Sequence, residues 1–438
     1  MDTPLRKHMT KPHSEFGGTA GNLFIMGFSH VLVYYLWISL TYYQGGLVLP
    51  ASLSDLGPFC DRMWSHLSTG AALTWAGVAI YGGFIAFQAL LAWFVPGLHV
   101  KGLPVPSLGN RQLTYVCNGI GCWYITLGTA FFLQVSGLFP LTLLIDHLGS
   151  IITTGVLWAN GMAVWMFLAH KPAQASVTDF FMGVALNPRV GRIDVKMFSE
   201  IRVPWILLFF LTLSATAKQV QLQGEISGSM ALMILAHGLY TNACMKGEEC
   251  IPTTWDIFHE KFGWMLIFWN YIGVPFVYCF QSFYILANNP QLPTPFLAFL
   301  FVLLGGAYWV WDTANSQKNR FRMQQRGTFV QRKTFPQLPW GTLKNPSYIL
   351  TKSGSQLLTD GWYKYGRKIH YTADSVMALT WAMSCGFAGV LPYFYPLFFM
   401  SMIAHRYLRD RERCKEKYGA DWDTYCKRVP YVFIPYVY

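Results

Sequence analysis

Ten apolar stretches constrain this chain more than any other feature of its sequence. A helix crosses the hydrocarbon core of a bilayer with about 20 apolar residues, and these stretches approach or exceed that length. Only 12% of the 438 residues are charged and 53% are hydrophobic, whereas soluble domains carry about 25% charged residues. The sequence therefore predicts an all-α, polytopic integral membrane protein with about ten transmembrane helices. The predicted spans are 22–43, 71–95, 115–138, 141–169, 203–220, 228–245, 262–287, 295–311, 374–390 and 391–408.

Short breaks separate two pairs of neighbouring spans. The third and fourth spans are divided only by a Gly-Leu-Phe-Pro turn at residues 137–140. The ninth and tenth spans are short and meet near Leu391-Pro392. These two stretches fit either two spans or one broken helix, and a single helix would move the C-terminus to the other side of the membrane.

Lysine and arginine are distributed unevenly between the two sides of the predicted bundle. With ten spans, one side carries 31 of the 33 Lys and Arg residues, the opposite loops carry Arg62, and Lys218 lies in or near the fifth span. Because positively charged loops favour the cytoplasmic side during insertion, this split predicts that both termini are cytoplasmic. Arg6, Lys7 and Lys11 precede the first span without an apolar segment of their own, which argues against a cleaved signal peptide.

The chain is predicted to form a single membrane domain over residues 1–438. Its predicted parts are a cytoplasmic N-terminus (1–21), eight spans (22–311), a basic cytoplasmic segment (312–373), and the last two spans with a cytoplasmic tail (374–438). The basic segment holds eleven Lys and Arg residues against Asp312 and Asp360. Its content of Trp, Tyr, Phe and Leu favours an ordered, functional segment.

Several common kinds of site are missing from the sequence. It contains no G-x-G-x-x-G after a strand, no G-x-x-x-x-G-K-[ST] and no H-E-x-x-H. The nine cysteines include no C-x-x-C pair, so neither a metal site nor a disulfide framework is predicted. The net charge of +12 is explained by cytoplasmic loops, so no nucleic-acid partner is predicted. A basic loop can also hold an anionic cofactor.

Ionisable residues within or beside the spans are candidate functional positions, because charge is costly in a membrane. Most also fit a side chain that reaches the interface or pairs with a neighbour. Arg406 and Asp410, four residues apart, share a helix face and fit either a helix-end salt bridge or a pair facing a cofactor. Lys318 and Arg322 fit either loop charge or a phosphate-binding pair. The ionisable set is His30, Lys218, His237, His370, Asp374, His405, Arg406 and Asp410.

Four motifs together resemble those of one known family. They are Leu186-Asn187-Pro188-Arg189 with Asp194-x-Lys196-Met197-Phe198-x-Glu200-x-Arg202, the stretch from Gly361-Trp362-Tyr363 to Asp374, His405-Arg406-x-x-Arg409-Asp410, and the ending Tyr418-Gly419-x-Asp421-Trp422-x-x-Tyr425. This pattern is similar to that of the membrane sterol reductases, a family that includes Δ14- and Δ7-sterol reductases, the membrane domain of lamin B receptor and the fungal Δ24(24(1))-sterol reductases. The resemblance covers nearly the whole chain.

The sequences of three segments are most similar to those of the fungal Δ24(24(1)) branch. These segments are Trp362 to Asp374, Asn319-Arg320-Phe321-Arg322 with Arg332-Lys333-Thr334-Phe335-Pro336, and Pro430-Tyr431-Val432-Phe433-Ile434-Pro435-Tyr436. The resemblance therefore implies reduction of the C24(28) double bond of a sterol in ergosterol-type synthesis. It also implies residence in the endoplasmic reticulum membrane.

The resemblance implies two connected pockets among about ten helices. One opens to the cytoplasm and holds NADPH, and the other admits a sterol from the bilayer. The implied cofactor-binding residues are Lys318, Arg322, Leu357, Trp362, Ile369, His370, Asp410, Cys414, Lys415, Glu416, Lys417, Tyr418 and Tyr425. The implied catalytic residues are Tyr240, Asp410 and Arg406, with Arg406 orienting Asp410. Relatives often place an acidic residue two or three positions after this tyrosine, but here Thr241-Asn242-Ala243 follows, so this chain departs from the family's pattern at that point.

The chemistry of an isolated alkene sets what such a site must supply. Protonation at C28 places positive charge on the tertiary carbon C24, which then accepts hydride. An acid, a dry pocket and aromatic faces suit this reaction. Tyr240 and Asp410 are the predicted acid and relay, with Asp410 protonated through burial.

Three other interpretations stay open at this point. Reduction at C14 or C7 shares nearly every motif. The C-terminal half also resembles isoprenylcysteine-type membrane methyltransferases, which have fewer spans and lack the 186–202 signature. The third is a non-catalytic membrane protein, either a transporter, although no inverted repeat is evident, or a sterol-binding scaffold.

Overall fold

The computed structural model describes residues 15–105, 108–329 and 334–437. Arg6, Lys7 and Lys11 of the predicted N-terminus lie outside these residues, as does Arg332-Lys333 of the branch motif.

The described chain is predominantly helical. The helices are α1 Gly18–Tyr42, α2 Leu56–Gly70, α3 Trp75–Phe94, α4 Gly119–Val135, α5 Leu143–Asp146, α6 Leu148–His170, α7 Val177–Met182, α8 Val195–Ile201, α9 Val203–Gln223, α10 Gly228–Lys246, α11 Trp255–Phe258, α12 Trp264–Phe268, α13 Phe280–Asn288, α14 Thr294–Gln325, α15 Ile369–Met383, α16 Phe394–Tyr418 and α17 Ala420–Arg428. A π-helix, Trp269–Val277, joins α12 to α13.

Six helical segments among residues 15–105, 108–329 and 334–437 are long and apolar enough to cross a membrane. They are α1, α3, α6, α8 with α9, the stretch from α12 to α13, and α14. Several carry large apolar side chains on the outer surface of the molecule, as Phe24 of α1, Phe94 of α3 and Val302 of α14 show. Apolar surface of this kind suits contact with lipid. The prediction of a helical membrane protein is therefore confirmed.

Each of the ten predicted spans contains helix, and the structure departs most clearly from the prediction in the third and the ninth. Residues 115–117, placed in the third span, form the end of a strand, because their backbone pairs with residues 98–100. Residues 384–390, placed in the ninth span, are not helical. Gly386 there has φ +72°, a conformation that ends a helix readily. The chain therefore forms two separate helices, α15 and α16, on either side of this break.

In the part of the chain that the structure describes, three two-stranded hairpins accompany the helices, and the all-α prediction did not include them. They are β1 Leu98–Val105 with β2 Arg111–Cys117, β3 Arg189–Val190 with β4 Ile193–Asp194, and β5 Tyr348–Leu350 with β6 Gln356–Leu358. All three are antiparallel. The amphipathic helix α2, between two apolar helices, was not predicted either.

Local sequence explains where several helices begin. The side chains of Thr74, Asp194 and Ser227 accept hydrogen bonds from the first-turn backbone of α3, α8 and α10. Such caps satisfy amide groups that have no partner within the helix. Proline lies in the first turn of α9 and of α14, where its fixed φ is favourable.

Among the described residues, one large hydrophobic core fills the helix bundle, and two small cores lie beside it. The first small core joins Phe321 of α14 to Leu358 and Tyr363. The second joins Trp422 and Tyr425 of α17 to Val429, with Leu357 packed against them. Leu357 and Leu358 are consecutive in β6 and point to opposite faces of the strand. The β5–β6 hairpin therefore packs between the end of α14 and α17.

Candidate functional site

Four basic side chains, an aspartate and a cysteine come together where the end of α14, the start of α15 and the polar half of α16 meet. This group is called the basic cluster. It consists of Lys318 and Arg322 from α14, Lys368 and His370 from the start of α15, and Asp410 and Cys414 from α16.

The length of α14 explains the position of Lys318 and Arg322. This helix runs for 32 residues and so continues well past the apolar part of its sequence. Residues four apart lie on one helix face, which brings both cations to the same side. The ammonium group of Lys318 lies 5.4 Å from the centre of the Tyr363 ring, close enough for a cation–π interaction.

Lys368 and Asp410 form an ion pair between α15 and α16. Burial opposes ionisation of Asp410, but the adjacent ammonium of Lys368 outweighs it and holds the pKa of this carboxyl below its usual range. Asp410 is therefore a carboxylate in this structure. The prediction that burial keeps it protonated is wrong, because its partner is a cation.

Arg406 makes its ion pair with a residue far away in the sequence. Its Nη2 donates to Oδ2 of Asp256 at 2.8 Å, and one turn later Arg409 Nη2 donates to Oε1 of Glu260 at 3.0 Å. Arg406 is near enough to Asp410 to lower the pKa of that carboxyl, yet the hydrogen-bond partner of Asp410 is Lys368. The predicted orienting contact from Arg406 to Asp410 is thus replaced by two ion pairs that fix α16 to residues 256–260.

His370 lies among the cations of the basic cluster. Its Nδ1 is 3.4 Å from the hydroxyl oxygen of Tyr363. Burial, followed by the positive charges of Lys318 and Lys368, holds the pKa of His370 well below its usual range. The imidazole is therefore neutral, and it can donate or accept a hydrogen bond without adding charge.

Trp362 is held against α14 by two hydrogen bonds. Its backbone amide donates to Oε1 of Gln317 at 2.9 Å, and its indole Nε1 donates to Oγ1 of Thr313 at 2.8 Å. Its ring also meets those of Trp309 and Trp340 edge-on, with centres 5.3 and 5.0 Å away. Trp362 therefore lies level with the turn of α14 just before Lys318.

The remaining predicted cofactor residues divide between the interior and the surface. Cys414 and Tyr418 of α16 pack partly buried against the core that contains Tyr425. Leu357 lies on the same core, and Ile369 is buried at the start of α15. Lys415, Glu416 and Lys417 lie on the outer face of α16 and are exposed. The structure therefore brings together most of the predicted set, but not these three consecutive residues.

Tyr240 occupies an aromatic cage formed by Trp205, Trp311 and Trp381. The ring centres lie 4.7, 4.9 and 5.9 Å from that of Tyr240. Trp311 is seven residues before Lys318 on α14, a separation of two helical turns or about 10 Å. The cage and the basic cluster thus lie along one face of α14, with Trp362 between them.

The 186–202 signature proves to be a set of structural contacts. Arg202 Nη2 donates to Glu248 Oε1 at 2.5 Å and to Asn118 Oδ1 at 2.6 Å. Lys196 Nζ donates to the backbone oxygens of Ile257 and Glu260 at 2.9 and 2.6 Å. These buried bonds hold residues 248–260, and hence Asp256 and Glu260, in place for α16. Sequence reasoning missed this role because each partner lies more than 40 residues away.

The C-terminal segment makes contacts that were not predicted either. The backbone amides of Arg367 and Lys368 donate to the carbonyls of Tyr431 and Val432 at 3.0 and 2.8 Å. Thr372 Oγ1 donates to the carbonyl of Phe433 at 2.7 Å. These bonds fix the start of α15, and with it Lys368 and His370.

The charge of the basic cluster suits an anionic dinucleotide. Lys318, Arg322, Lys368 and Arg406 all act electrostatically on His370, while Asp410 is the carboxylate that acts on Lys318. A surplus of cations beside aromatic faces fits phosphate groups and planar rings. The charge and the aromatic faces of these residues therefore fit a nicotinamide dinucleotide.

The fold and the site define a class: a polytopic helical membrane protein with a basic, aromatic-walled cluster beside a caged tyrosine. The chain matches the model of the "Ergosterol biosynthesis ERG4/ERG24 family" over residues 10–438. It belongs to that family.

Individual relatives agree with this assignment over most of their length. The chain is 41% identical to the Delta(24(24(1)))-sterol reductase erg4A of Aspergillus fumigatus, over 97% of this chain and 93% of that protein. It is 42% identical to the Delta(24(24(1)))-sterol reductase of Gibberella zeae, over 97% of this chain and 73% of that protein. It is 37% identical to a Delta(14)-sterol reductase of Dictyostelium discoideum, over 97% and 92%.

Proposed function

We propose that this protein is an NADPH-dependent sterol reductase that reduces the C24(28) double bond. Identities of 41 and 42% to two fungal proteins named Delta(24(24(1)))-sterol reductases support this choice of bond. The single observation that supports the chemistry is the position of the basic cluster, two turns of α14 from the caged Tyr240. Lys318 and Arg322, which would hold the dinucleotide, therefore lie on the same helix as Trp311, one wall of the Tyr240 cage.

The chain's own residues supply binding, orientation and a proton. Lys318 and Arg322 hold phosphate groups, Lys368 is oriented by Asp410, and Trp362 forms a wall between the cluster and the cage. A reduced nicotinamide, when bound, supplies a hydride equivalent. The hydroxyl of Tyr240 gives its proton to C28 of the alkene. The rings of Trp205 and Trp311 stabilise the positive charge that develops at C24.

The membrane arrangement belongs to the same proposal. All ten predicted spans cross the bilayer, with both termini and the basic cluster on the cytoplasmic side, where NADPH is available. The four parts of the chain, 1–21, 22–311, 312–373 and 374–438, form one domain. The sterol enters from the bilayer, and the protein resides in the endoplasmic reticulum membrane.

Reduction of the C14 double bond is the second candidate. It is favoured by the 37% identity to a Delta(14)-sterol reductase over nearly the whole chain. The basic cluster would serve both reactions equally, because it binds the cofactor and not the sterol. Only the product distinguishes the two.

A sterol profile in yeast tests the proposal. The chain is expressed in a strain lacking its own C24(28) reductase, and the sterols are identified by gas chromatography–mass spectrometry. Restored ergosterol supports the proposal, and persistent 24(28)-methylene sterol despite good expression contradicts it. Strains lacking the C14 or the C7 reductase then test the other two bonds, and failure in all three favours a sterol-binding scaffold.

A pair of lysine variants tests the cofactor site. Lys318→Ala removes a cation of the basic cluster, whereas Lys344→Ala removes an exposed cation from the same segment. We expect the first to raise the KM for NADPH about tenfold or more, the equivalent of about 1.4 kcal/mol, and the second to leave it unchanged. Equal behaviour of the two variants would contradict the assignment of Lys318.

A further inference from the structure

The caged tyrosine has an acidic neighbour that its own helix lacks. Asp374 lies on α15, and its carboxyl group is close enough to the Tyr240 hydroxyl and the Trp311 indole to interact with both. Asn242, two residues after the tyrosine, is engaged elsewhere, because its Nδ2 donates to the carbonyl of Phe335 at 2.8 Å. The carboxyl group that the sequence does not place after Tyr240 is thus provided by another helix.

Asp374 has surroundings that differ from those of the other carboxylates described above. Asp256, Glu260 and Asp410 each pair with a lysine or arginine. Asp374 takes part in none of the ion pairs found within residues 15–105, 108–329 and 334–437. A carboxyl group among membrane helices without a cationic partner is costly. Its retention there is better explained by a proton-handling role than by stability.

The titratable groups that face Asp374 are three phenols and a thiol. They are Tyr240 and Cys244 from α10, Tyr278 between the π-helix and α13, and Tyr395 from α16. The rings of Tyr278 and Tyr395 are 4.3 Å apart, and Tyr395 stacks on Trp381 at 5.3 Å. Of these groups, Tyr240 also stacks at 4.9 Å on Trp311, the other neighbour of the carboxyl group.

The position of Asp374 relative to the basic cluster also fits a role in the reaction. It follows His370 by four residues on α15, one helical turn or about 6 Å along the axis. Trp311, its other contact, precedes Lys318 by two turns on α14. Asp374 therefore lies on the Tyr240 side of the cluster, between the site that binds the cofactor and the phenol.

We propose that Asp374 is the proton partner of Tyr240, a positioning and relay residue that resupplies the phenol during alkene reduction. This inference rests on the proposed function. When the Tyr240 O–H bond breaks and a C28–H bond forms, the O–H bond of the Asp374 carboxylic acid breaks and a new O–H bond forms on the tyrosine oxygen. The substrate gains this proton and the hydride named above, and the Asp374 carboxylate takes its next proton from solvent.

The test compares single and double variants of the full-length protein in yeast membranes. Asp374→Asn keeps the size of the side chain but cannot give up a proton. We expect it to lower kcat by about a hundredfold or more, the usual contribution of a positioned acid or base, with KM values unchanged. Asp374→Glu should recover part of the loss. Asp61→Asn, at an exposed position on α2, is the matched control.

Non-additivity distinguishes a relay from a structural role. If Asp374 acts through Tyr240, the double variant Tyr240→Phe with Asp374→Asn has a kcat no lower than that of the slower single variant. A solvent deuterium isotope effect on the wild-type reaction should be altered in Asp374→Asn. Wild-type kcat in Asp374→Asn, or losses that multiply in the double variant, would overturn the proposal.

The wild-type product separates this inference from the proposed function. If the wild type reduces a different sterol double bond, the C24(28) assignment fails, and the same variants are measured on the bond that it does reduce. If the wild type reduces no sterol with NADPH, both proposals are overturned. Loss of folded protein in Asp374→Asn but not in Asp374→Glu, with full specific activity of the remainder, assigns a structural role and also overturns the relay.

Discussion

Nη2 of Arg406 lies 2.8 Å from Oδ2 of Asp256, a residue 150 positions earlier in the chain. Asp410, which shares a helix face with Arg406, pairs instead with Lys368. The polar half of α16 is thus fixed on one side to residues 256–260 and on the other to the start of α15. Its contribution to the basic cluster depends on both attachments.

Removing the Arg406–Asp256 pair should weaken cofactor binding more than folding. The two side chains are 45% and 32% exposed, and a pair this accessible contributes only about 0–1 kcal/mol. Arg406→Ala and Asp256→Ala should each raise the KM for NADPH by up to about fivefold, the equivalent of about 1 kcal/mol, and the double variant should be no worse. A normal KM in Asp256→Ala together with a large loss in Arg406→Ala would instead mean that Arg406 acts directly on the ligand or on Asp410.

Asp410→Asn distinguishes an orienting carboxylate from a general acid. Because the pKa of Asp410 is lowered, this group stays ionised throughout pH 5 to 8. Its stabilising effect is complete above the unfolded-state pKa of about 4 and is lost only as the pH falls further. Asp410→Asn should therefore raise the KM for NADPH, by about tenfold, without changing the shape of the pH–rate profile between pH 5 and 8. If Asp410→Asn instead lost one limb of the pH–rate profile, Asp410 would be the general acid.

His370 should make the folded protein sensitive to mild acid. The basic cluster holds the pKa of this residue well below its usual range, so below about pH 6.5 the unfolded chain binds a proton that the folded chain does not. Stability is complete above that pH and should fall by up to about 1.4 kcal/mol per pH unit below it. Melting temperatures of detergent-solubilised protein from pH 8 to 5 measure this loss.

Two histidine variants provide the comparison for that measurement. His370→Gln should flatten the acid dependence, whereas His99→Gln, at an exposed position in β1, should leave it unchanged. Saturating NADPH should also reduce the acid loss, because its phosphates offset the surrounding cations. An unchanged slope in His370→Gln would contradict the electrostatic description of the cluster.

The buried pair Arg202–Glu248 should be essential for folding. Each side chain is only 3% exposed, and the two meet at 2.5 Å. Removal of one partner leaves a buried charge without its counter-ion, which typically costs about 3–5 kcal/mol. Arg202→Ala and Glu248→Ala should therefore lose the monodisperse peak in fluorescence-detected size-exclusion chromatography. The exposed variant Glu225→Ala is the control, and normal folding of Glu248→Ala would refute the structural role.

The helical framework was readable from the sequence, because apolar runs of membrane length leave few alternatives in lipid. The motifs also indicated most residues of the basic cluster, and the structure places Lys318, His370 and Asp410 near one another. Lys368, which pairs with Asp410, was not among the predicted residues. What the motifs did not reveal was the pairing. Arg406 and Asp410 are four residues apart, which made a local pair the simplest interpretation, yet each has a partner from a distant segment.

The hairpins and the break after α15 were missed for a different reason. Residues 115–117 are as apolar as the helix that follows them, and hydropathy does not distinguish a buried strand from a helix end over three residues. Strand pairing with residues 98–100 decided the outcome. Gly386 likewise ends a helical region that hydropathy alone continues.

The sequence by itself determined the class of the protein: long apolar helical runs, a basic C-terminal third, and motifs sufficient to identify the family. The tertiary structure alone decided which charge meets which. It brought Asp374 of α15 to Tyr240 of α10, and Asp256 to Arg406 of α16. The physical reason is that helix periodicity specifies neighbours only within one helix, whereas the partner of a buried charge is chosen by how separate helices pack.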